Sequence, residues 1–260
     1  MSNFMRHLPS LAALALSAAA LAISLGLVEP KHVYDGDANF SEAQVNDIGK
    51  ISRNYLLENP EVIRDAIQAL QAKEEAAKAG MQSEAVKQHK DALYADAGDP
   101  VAGNPQGDVT LIEFFDYKCP YCKQVTPALE ALLKEDANLK IVFKEFPILS
   151  DGSVLAARAA LAAMKQDKYL PLHQALMAYR GALDLGTITS VATSAGLDAQ
   201  KLLEDMKSEE IDKQLKATHE LALALSIRST PTFIVGDKVM PGAMSIDDLK
   251  GLIADARKGS

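Results

Sequence analysis

The sequence predicts an α/β chain in which a helical stalk precedes a strand, helix, strand unit, a helical insertion, and a closing hairpin with a last helix. Three observations predict it. Val109 to Phe115 is an apolar run too short and too continuous for an amphipathic helix. Residues 150–227 are rich in Ala and Leu, and strand patterning returns at Thr232 to Val235, turns at Gly236-Asp237 and resumes at Lys238 to Met240. With 260 residues, 48% hydrophobic and 24% charged, the chain can fill one substantial core or a small core with appendages. Its 27 Lys and Arg against 35 Asp and Glu give a net charge of -8, which repels nucleic acid unless a local basic patch overrides it. No Lys/Arg cluster in the sequence does so.

Residues 1–28 resemble an export segment. Arg6 is their only Lys, Arg, Asp or Glu, and Leu8 to Val28 is an almost unbroken run of Leu, Ala, Ile and Ser. The run is about as long as a bilayer requires, so it serves as a signal peptide, with A-x-A-like sites at Ala18, Ala20 and Ala22, or as an uncleaved membrane anchor. Ser41 and Gln44 then form a capping box, followed by Val45, Ile48, Ile51 and Tyr55 at spacings of three and four. Asn59-Pro60 starts a second helix, with Ile63, Ala66, Ile67 and Leu70 on one stripe. Residues 41–96 thus hold two helices with too few large side chains for a core. They must dock, either on the following domain or, as a stalk placed before a complete domain favours, on copies of themselves.

Gly98, Pro100, Gly103, Pro105 and Gly107 mark the boundary of a second unit, residues 98–260. After the first strand, Cys119-Pro120-Tyr121-Cys122 opens a helix continued by Val125, Leu129, Leu132 and Leu133. Leu139 to Phe146 is the next strand. The insertion shows helix signals at Ser150, Thr187 and Asp198 and breaks at Pro171, Gly181, Gly186 and Gly196; Ser245 caps the last helix.

The two cysteines carry the chemistry. They allow one intramolecular disulfide, and with five scattered histidines they do not make a four-ligand zinc site. Placed directly after a buried strand, Cys119 sits at a helix N-terminus, where unpaired N–H groups and the helix dipole favour a thiolate. Pro120 fits the first turn, and Cys122 is the more buried partner. An inert structural disulfide closes only a four-residue ring and constrains little. Copper(I) binding by two soft thiolates is the stronger rival, although the residues before the first cysteine, Asp116-Tyr117-Lys118, lack the Met usual in small copper carriers.

Glu113-Phe114-Phe115-Asp116-Tyr117-Lys118-Cys119-Pro120-Tyr121-Cys122, with Ser229-Thr230-Pro231-Thr232-Phe233 far downstream, resembles the DsbA-like branch of the thioredoxin superfamily over residues 98–260. The resemblance implies a thioredoxin-like fold with residues 150–227 inserted. It implies that Pro231 is cis and lies against the dithiol, with Thr230 offering backbone hydrogen bonds to substrate; from the residues alone, a trans strand start at Thr230-Pro231 is the lesser alternative. It matches Glu113 to an acid beneath the active site that moves the proton of the buried thiol, with Lys144 as its partner. Read from their strands alone, either charge is buried and paired or lies at a strand end facing water. Helical residues around Ile48 to Ala79, including Asn59-Pro60-Glu61-Val62, resemble the suppressor-of-copper-sensitivity protein C group, whose stalked members can be trimeric disulfide isomerases. Thr before the proline resembles isomerases more than strong oxidases.

The implied protein is a periplasmic thiol-disulfide oxidoreductase, most simply a disulfide isomerase. It acts through Cys119, Cys122, Pro120, Tyr121, Thr230, Pro231, Glu113 and Lys144, with no cofactor. Its implied partners are exported cysteine-containing proteins, a membrane reductase or oxidase that resets the dithiol, and copies of itself. A disulfide-introducing oxidase and a copper(I)-binding protein are the alternatives.

Overall fold

A computed structural model describes residues 40–258, so the expected export segment at 1–28 lies outside the described residues. Among the described residues, no helix is long and apolar enough to cross a membrane. The chain divides into two units, Met1–Ala66 and Ile67–Ser260.

In the first unit, helix α1 (Glu42–Glu58) starts at the expected capping box. The Gln44 amide donates to Ser41 Oγ at 3.4 Å, and the Ser41 amide donates to Gln44 Oε1 at 2.9 Å. No α1 residue is buried. Helix α2 (Glu61–Gln88) begins one residue after Pro60, and its residues from Ile67 on belong to the second unit.

The second unit is built on a five-stranded mixed sheet in the order β1-β3-β2-β4-β5. Strand β2 (Val109–Phe115) pairs in parallel with β3 (Leu139–Glu145) and antiparallel with β4 (Thr232–Val235). Strand β5 (Lys238–Pro241) closes the expected hairpin, and Gly236 supplies a positive φ of 60° at its two-residue turn. Strand β1 (Val101–Gly103), antiparallel to β3, is an addition to the sequence reading.

Alternation along the strands builds one core on each face of the sheet. Leu111, Phe115, Ile141, Phe143 and Phe233 face helix α4 (Pro120–Glu135) and the inserted helices α5 (Asp151–Ala163), α6 (Tyr169–Ala178), α7 (Leu185–Ser194) and α8 (Ala199–Asp205). Leu249 and Ile253 of the last helix, α10 (Ile246–Lys258), complete that side. Ile112, Phe114, Val142 and Ile234 face the other way, toward Leu221 and Ala222 of α9 (Glu209–Ala224). Val86 of α2 and Leu93 of α3 (Lys90–Tyr94) belong to this second core. Gln82 donates to the Leu225 carbonyl at 3.2 Å, and the Tyr94 hydroxyl to the Gly236 carbonyl at 2.6 Å. The end of the segment read as a stalk is therefore packed on the domain that follows it.

Ser150, Asp198 and Ser245 begin helices as the sequence predicts, each side chain accepting a first-turn amide. Thr187 does not. Asp184 caps α7, its Oδ1 accepting the Thr187 amide at 2.8 Å. Pro171 and Gly186, expected as breaks, lie in the first turns of α6 and α7, where a missing N–H or a flexible residue disturbs no internal helix bond.

Candidate active site

Cys119 is the N-cap of α4, with extended φ and ψ of -71° and 117°. Its Sγ accepts the Cys122 amide at 3.3 Å, as a capping oxygen would, and lies 3.2 Å from the Thr230 carbonyl. That carbonyl can accept only from the protonated thiol. Stabilisation of the anion falls to the donors: the Cys122 thiol first, then the Thr230 side chain and the amides of Cys122 and Tyr121, which together outweigh burial and hold the Cys119 thiol down at about 6. Burial drives the Cys122 thiol the other way, far above its usual range, and the Cys119 sulfur and the Glu113 charge add to it. The two sulfurs are thus opposite in character, one a poised anion and one a held proton. Among the described residues these are the chain's two cysteines, and both are free thiols.

The surroundings decide which sulfur a substrate meets. Cys119 is 3% exposed but is flanked by the exposed Lys118 and Pro120, with Tyr121 at 60%, whereas Cys122 is 0% exposed. Thr230 is half-buried and Pro231 buried, and the Thr230–Pro231 peptide is cis. A pH series of alkylation with a small reagent is expected to show one fast site, Cys119, with a reactivity midpoint near 6, and a Cys122 that stays unmodified across the series. A midpoint in the ordinary thiol range would remove the poised anion.

Glu113 is fully buried, on the same face of the sheet as the dithiol helix, and its Oε1 has no hydrogen-bond partner. Burial, and secondarily the Cys119 charge, pushes its carboxyl up to about 8. Lys144 is not its partner. In the parallel register Glu113 aligns with Phe143 while Phe114 aligns with Lys144, so the two charges point to opposite faces. Lys144 pairs instead with Asp99 and donates to the Ala92 carbonyl at 2.6 Å. Neither residue lies at a solvent-facing strand end.

A carboxyl whose folded pKa is raised contributes stability that is complete below its unfolded value and lost as pH rises through the folded one. Glu113→Gln in the reduced protein is therefore expected to change stability little at about pH 5 and to leave the variant more stable than the parent at about pH 9, read by urea denaturation. Equal pH profiles for the two proteins would contradict the buried, unpaired carboxyl.

Two further groups were not singled out from the sequence. Asp116 accepts four hydrogen bonds: Lys118 N at 2.7 Å and Ser153 Oγ at 2.7 Å on Oδ1, Ile148 N at 2.9 Å and Leu149 N at 3.0 Å on Oδ2. It ties the turn before Cys119 to the loop after β3. Behind it, buried Glu145 accepts the hydroxyls of Tyr117 and Tyr169, each at 2.9 Å, and Tyr117 Oη lies 3.1 Å from His173 Nδ1. Burial raises the Glu145 carboxyl and lowers His173 to about 3, so the imidazole is neutral. Alternation along β3 puts Glu145 on the face opposite to Lys144, and the register makes that the face of Glu113.

Residues 110–254, more than half of the chain, match the DSBA-like thioredoxin domain. The chain belongs to the DsbA-like thioredoxin family. Ahead of the DsbA-like domain, residues 44–77 match the copper resistance protein ScsC N-terminal domain. Among solved structures, a thioredoxin-like oxidoreductase from Silicibacter pomeroyi DSS-3 is 40% identical with a TM-score of 0.64, covering 66% of this chain and 99% of that one. Proteus mirabilis ScsC in a transitional conformation is 31% identical with a TM-score of 0.64, covering 86% and 100%. Disulfide bond formation protein D of Bacillus subtilis (strain 168) is 27% identical over 174 residues, 62% of this chain and 78% of the relative. The chain also matches Na(+)/H(+) antiporter NhaA 1 of Salinispora arenicola at 29% identity over 164 residues, spanning 25% of that protein's length and 62% of its own. The dithiol domain is thus of the thiol-disulfide oxidoreductase type found in DsbA-like and ScsC proteins.

Proposed function

We propose that the chain is a periplasmic thiol-disulfide oxidoreductase that rearranges disulfides in exported proteins, working as an oligomeric isomerase. The observation that carries the exchange chemistry is the Cys119 sulfur at the front of α4, accepting the Cys122 amide and with its thiol held at about 6. Cys119 thiolate attacks one sulfur of a substrate disulfide; a Cys119–substrate bond forms, the substrate bond breaks, and the departing thiolate takes a proton. In isomerisation another substrate thiolate then attacks that mixed disulfide and Cys119 leaves as the anion it began as. If rearrangement stalls, the Cys122 thiol gives up its proton and attacks Cys119, releasing reduced substrate and leaving a Cys119–Cys122 disulfide. Glu113, when ionised, is the group placed to take that proton, since its charge acts on both sulfurs. Thr230, beside cis Pro231, presents its carbonyl at the sulfur, and Pro120 and Tyr121 form the exposed lip that a substrate chain meets.

The isomerase direction rests on the stalk. Ile48, Ile51 and Tyr55 on α1, and Ile63, Ile67 and Leu70 on α2, recur at spacings of three and four and are each about half exposed or more. Copies of the same stripes cover them in a helical bundle, which clusters the catalytic domains and hinders an oxidising membrane partner. The segment that matches the copper resistance domain contains no cysteine, so that match supports the stalk rather than a copper(I) site.

The test couples mass to activity. The exported chain is expected to sediment as an oligomer and to restore a scrambled-disulfide protein, and Ile51→Glu with Ile67→Glu is expected to give a monomer that exchanges thiols but rearranges poorly. Because Val86 and Leu93 are core residues, point changes are preferable to deletion through residue 96. A parent that is already monomeric, or that only oxidises dithiols, removes the isomerase reading; stoichiometric copper(I) uptake without thiol exchange replaces it with the binding protein.

A further inference from the structure

Lys118, Lys123 and Arg180 come together at a groove of about 450 Å³ beside the dithiol, lined also by Pro120, Gln124 and Tyr179. All three cations are oriented by carbonyls at and beyond the C-terminal end of α6. Lys123 Nζ donates to Leu176 O at 3.1 Å and also to Tyr179 O; Arg180 Nη1 donates to Met177 O at 2.6 Å and Ala178 O at 3.2 Å; Lys118 Nζ donates to Gly181 O at 3.1 Å. Among the described residues, no carboxylate lies within ion-pairing distance of any of them.

Capping a helix end explains part of this arrangement and not all of it. A helix C-terminus carries roughly half a negative charge, and the nearby Asp116 carboxylate and Cys119 thiolate, which both act on Lys123, add one each. Three cations exceed that sum. Burial first, then repulsion from Arg180 and Lys118, depresses the Lys123 ammonium to about 8. The surplus is local in a chain whose net charge is -8.

We propose that this groove is a subsite for acidic side chains flanking the substrate cysteine, so that the enzyme exchanges fastest with disulfides set in Asp- or Glu-rich segments. It rests on the exchange chemistry proposed above. Lys118 adjoins Cys119 in the chain and Pro120 lines the groove, so a polypeptide joined to Cys119 lays its neighbouring residues over it; two residues of extended chain reach about 7 Å. A carboxylate there gains charge-assisted hydrogen bonds from lysine ammonium and guanidinium groups already held in place.

The test uses the reduced full chain and three peptides, each with one cysteine in a disulfide with a small thiol, identical except that the flanking residues are Glu, Gln or Lys. At low salt the Glu peptide is expected to react about fivefold or more faster than the Gln peptide, and the Lys peptide more slowly than either. In Lys118→Gln/Arg180→Gln the Glu-to-Gln ratio is expected to fall toward one, as it should in the parent at high salt. The ratio cancels any change in Cys119 reactivity common to all peptides. A ratio of one in the parent, or a ratio unaltered in the double variant, overturns the subsite while leaving exchange intact. Absence of reaction with all three peptides overturns the exchange reading and the subsite with it.

Discussion

Cys119→Ser is expected to bring disulfide exchange down at least about a thousandfold, to the uncatalysed background, because a serine hydroxyl is not an anion at neutral pH and cannot displace sulfur. Cys122→Ser is expected to behave differently, and the difference is the informative part. Its Cys119 remains at the front of α4 with the backbone amides of Tyr121 and residue 122 still in place, so the first attack proceeds. What is lost is the internal escape. A mixed disulfide then persists until a substrate or solution thiol removes it, and the chain accumulates joined to substrate. The Cys122 thiol is the largest contributor to the lowered Cys119 value, so Cys122→Ala, which removes that donor where serine would keep one, should shift the Cys119 alkylation midpoint upward from about 6. Non-reducing electrophoresis with mass spectrometry reads the first outcome, and the pH series reads the second. Equal loss of exchange in both serine variants without trapped adduct would mean that Cys119 is not the attacking sulfur.

The dithiol was legible in the sequence because its signals are local. A continuous apolar run fixes β2, the next few residues open a helix, and a cysteine in the capping position follows from counting. Ser150, Asp198 and Ser245 were legible for the same reason, since a cap is decided within one turn. What escaped the sequence depends on register and on distant partners. Strand β1 has three residues in an exposed, buried, exposed pattern beside Pro100, too little for periodicity to declare. The Lys144 partner depends on which β3 residue stands opposite Glu113, and nothing in either strand alone states that register. Lys118, Lys123 and Arg180 belong to separate segments, and only the packing of α6 against α4 makes them one patch. The Glu145, Tyr117, Tyr169 and His173 cluster joins three elements in the same way.

The corrected pairing of Lys144 leads to the largest expected loss of stability. Lys144 and Asp99 are both almost wholly removed from water; the ammonium is shared between Asp99 Oδ2 and the Ala92 carbonyl, and Asp99 Oδ1 accepts Gln214 Nε2 at 2.9 Å. Lys144→Ala leaves that carboxylate buried without its counter-charge, and is expected to destabilise the second unit by about 3–5 kcal/mol at neutral pH. Burial already raises the Asp99 carboxyl to about 6, against the pull of Lys144. A folded pKa above the unfolded one contributes stability below the unfolded value and loses it as pH rises through the folded value. Removing the ammonium raises the folded value further, so the loss continues to higher pH, and the deficit of the variant should be larger at about pH 8 than at about pH 5. Adding Asp99→Leu to Lys144→Met removes both charges, and is expected to recover most of the loss because no desolvated ion remains. Exchange per folded molecule should be unaltered by that double change, since Lys144 lies on the sheet face opposite Glu113 and the dithiol helix. Urea denaturation at the two pH values and exchange rates on the folded fraction decide it. A loss below about 1 kcal/mol for Lys144→Ala would mean water reaches Asp99, and a fall in exchange rate in the double variant would return Lys144 to the proton chemistry from which the register excludes it.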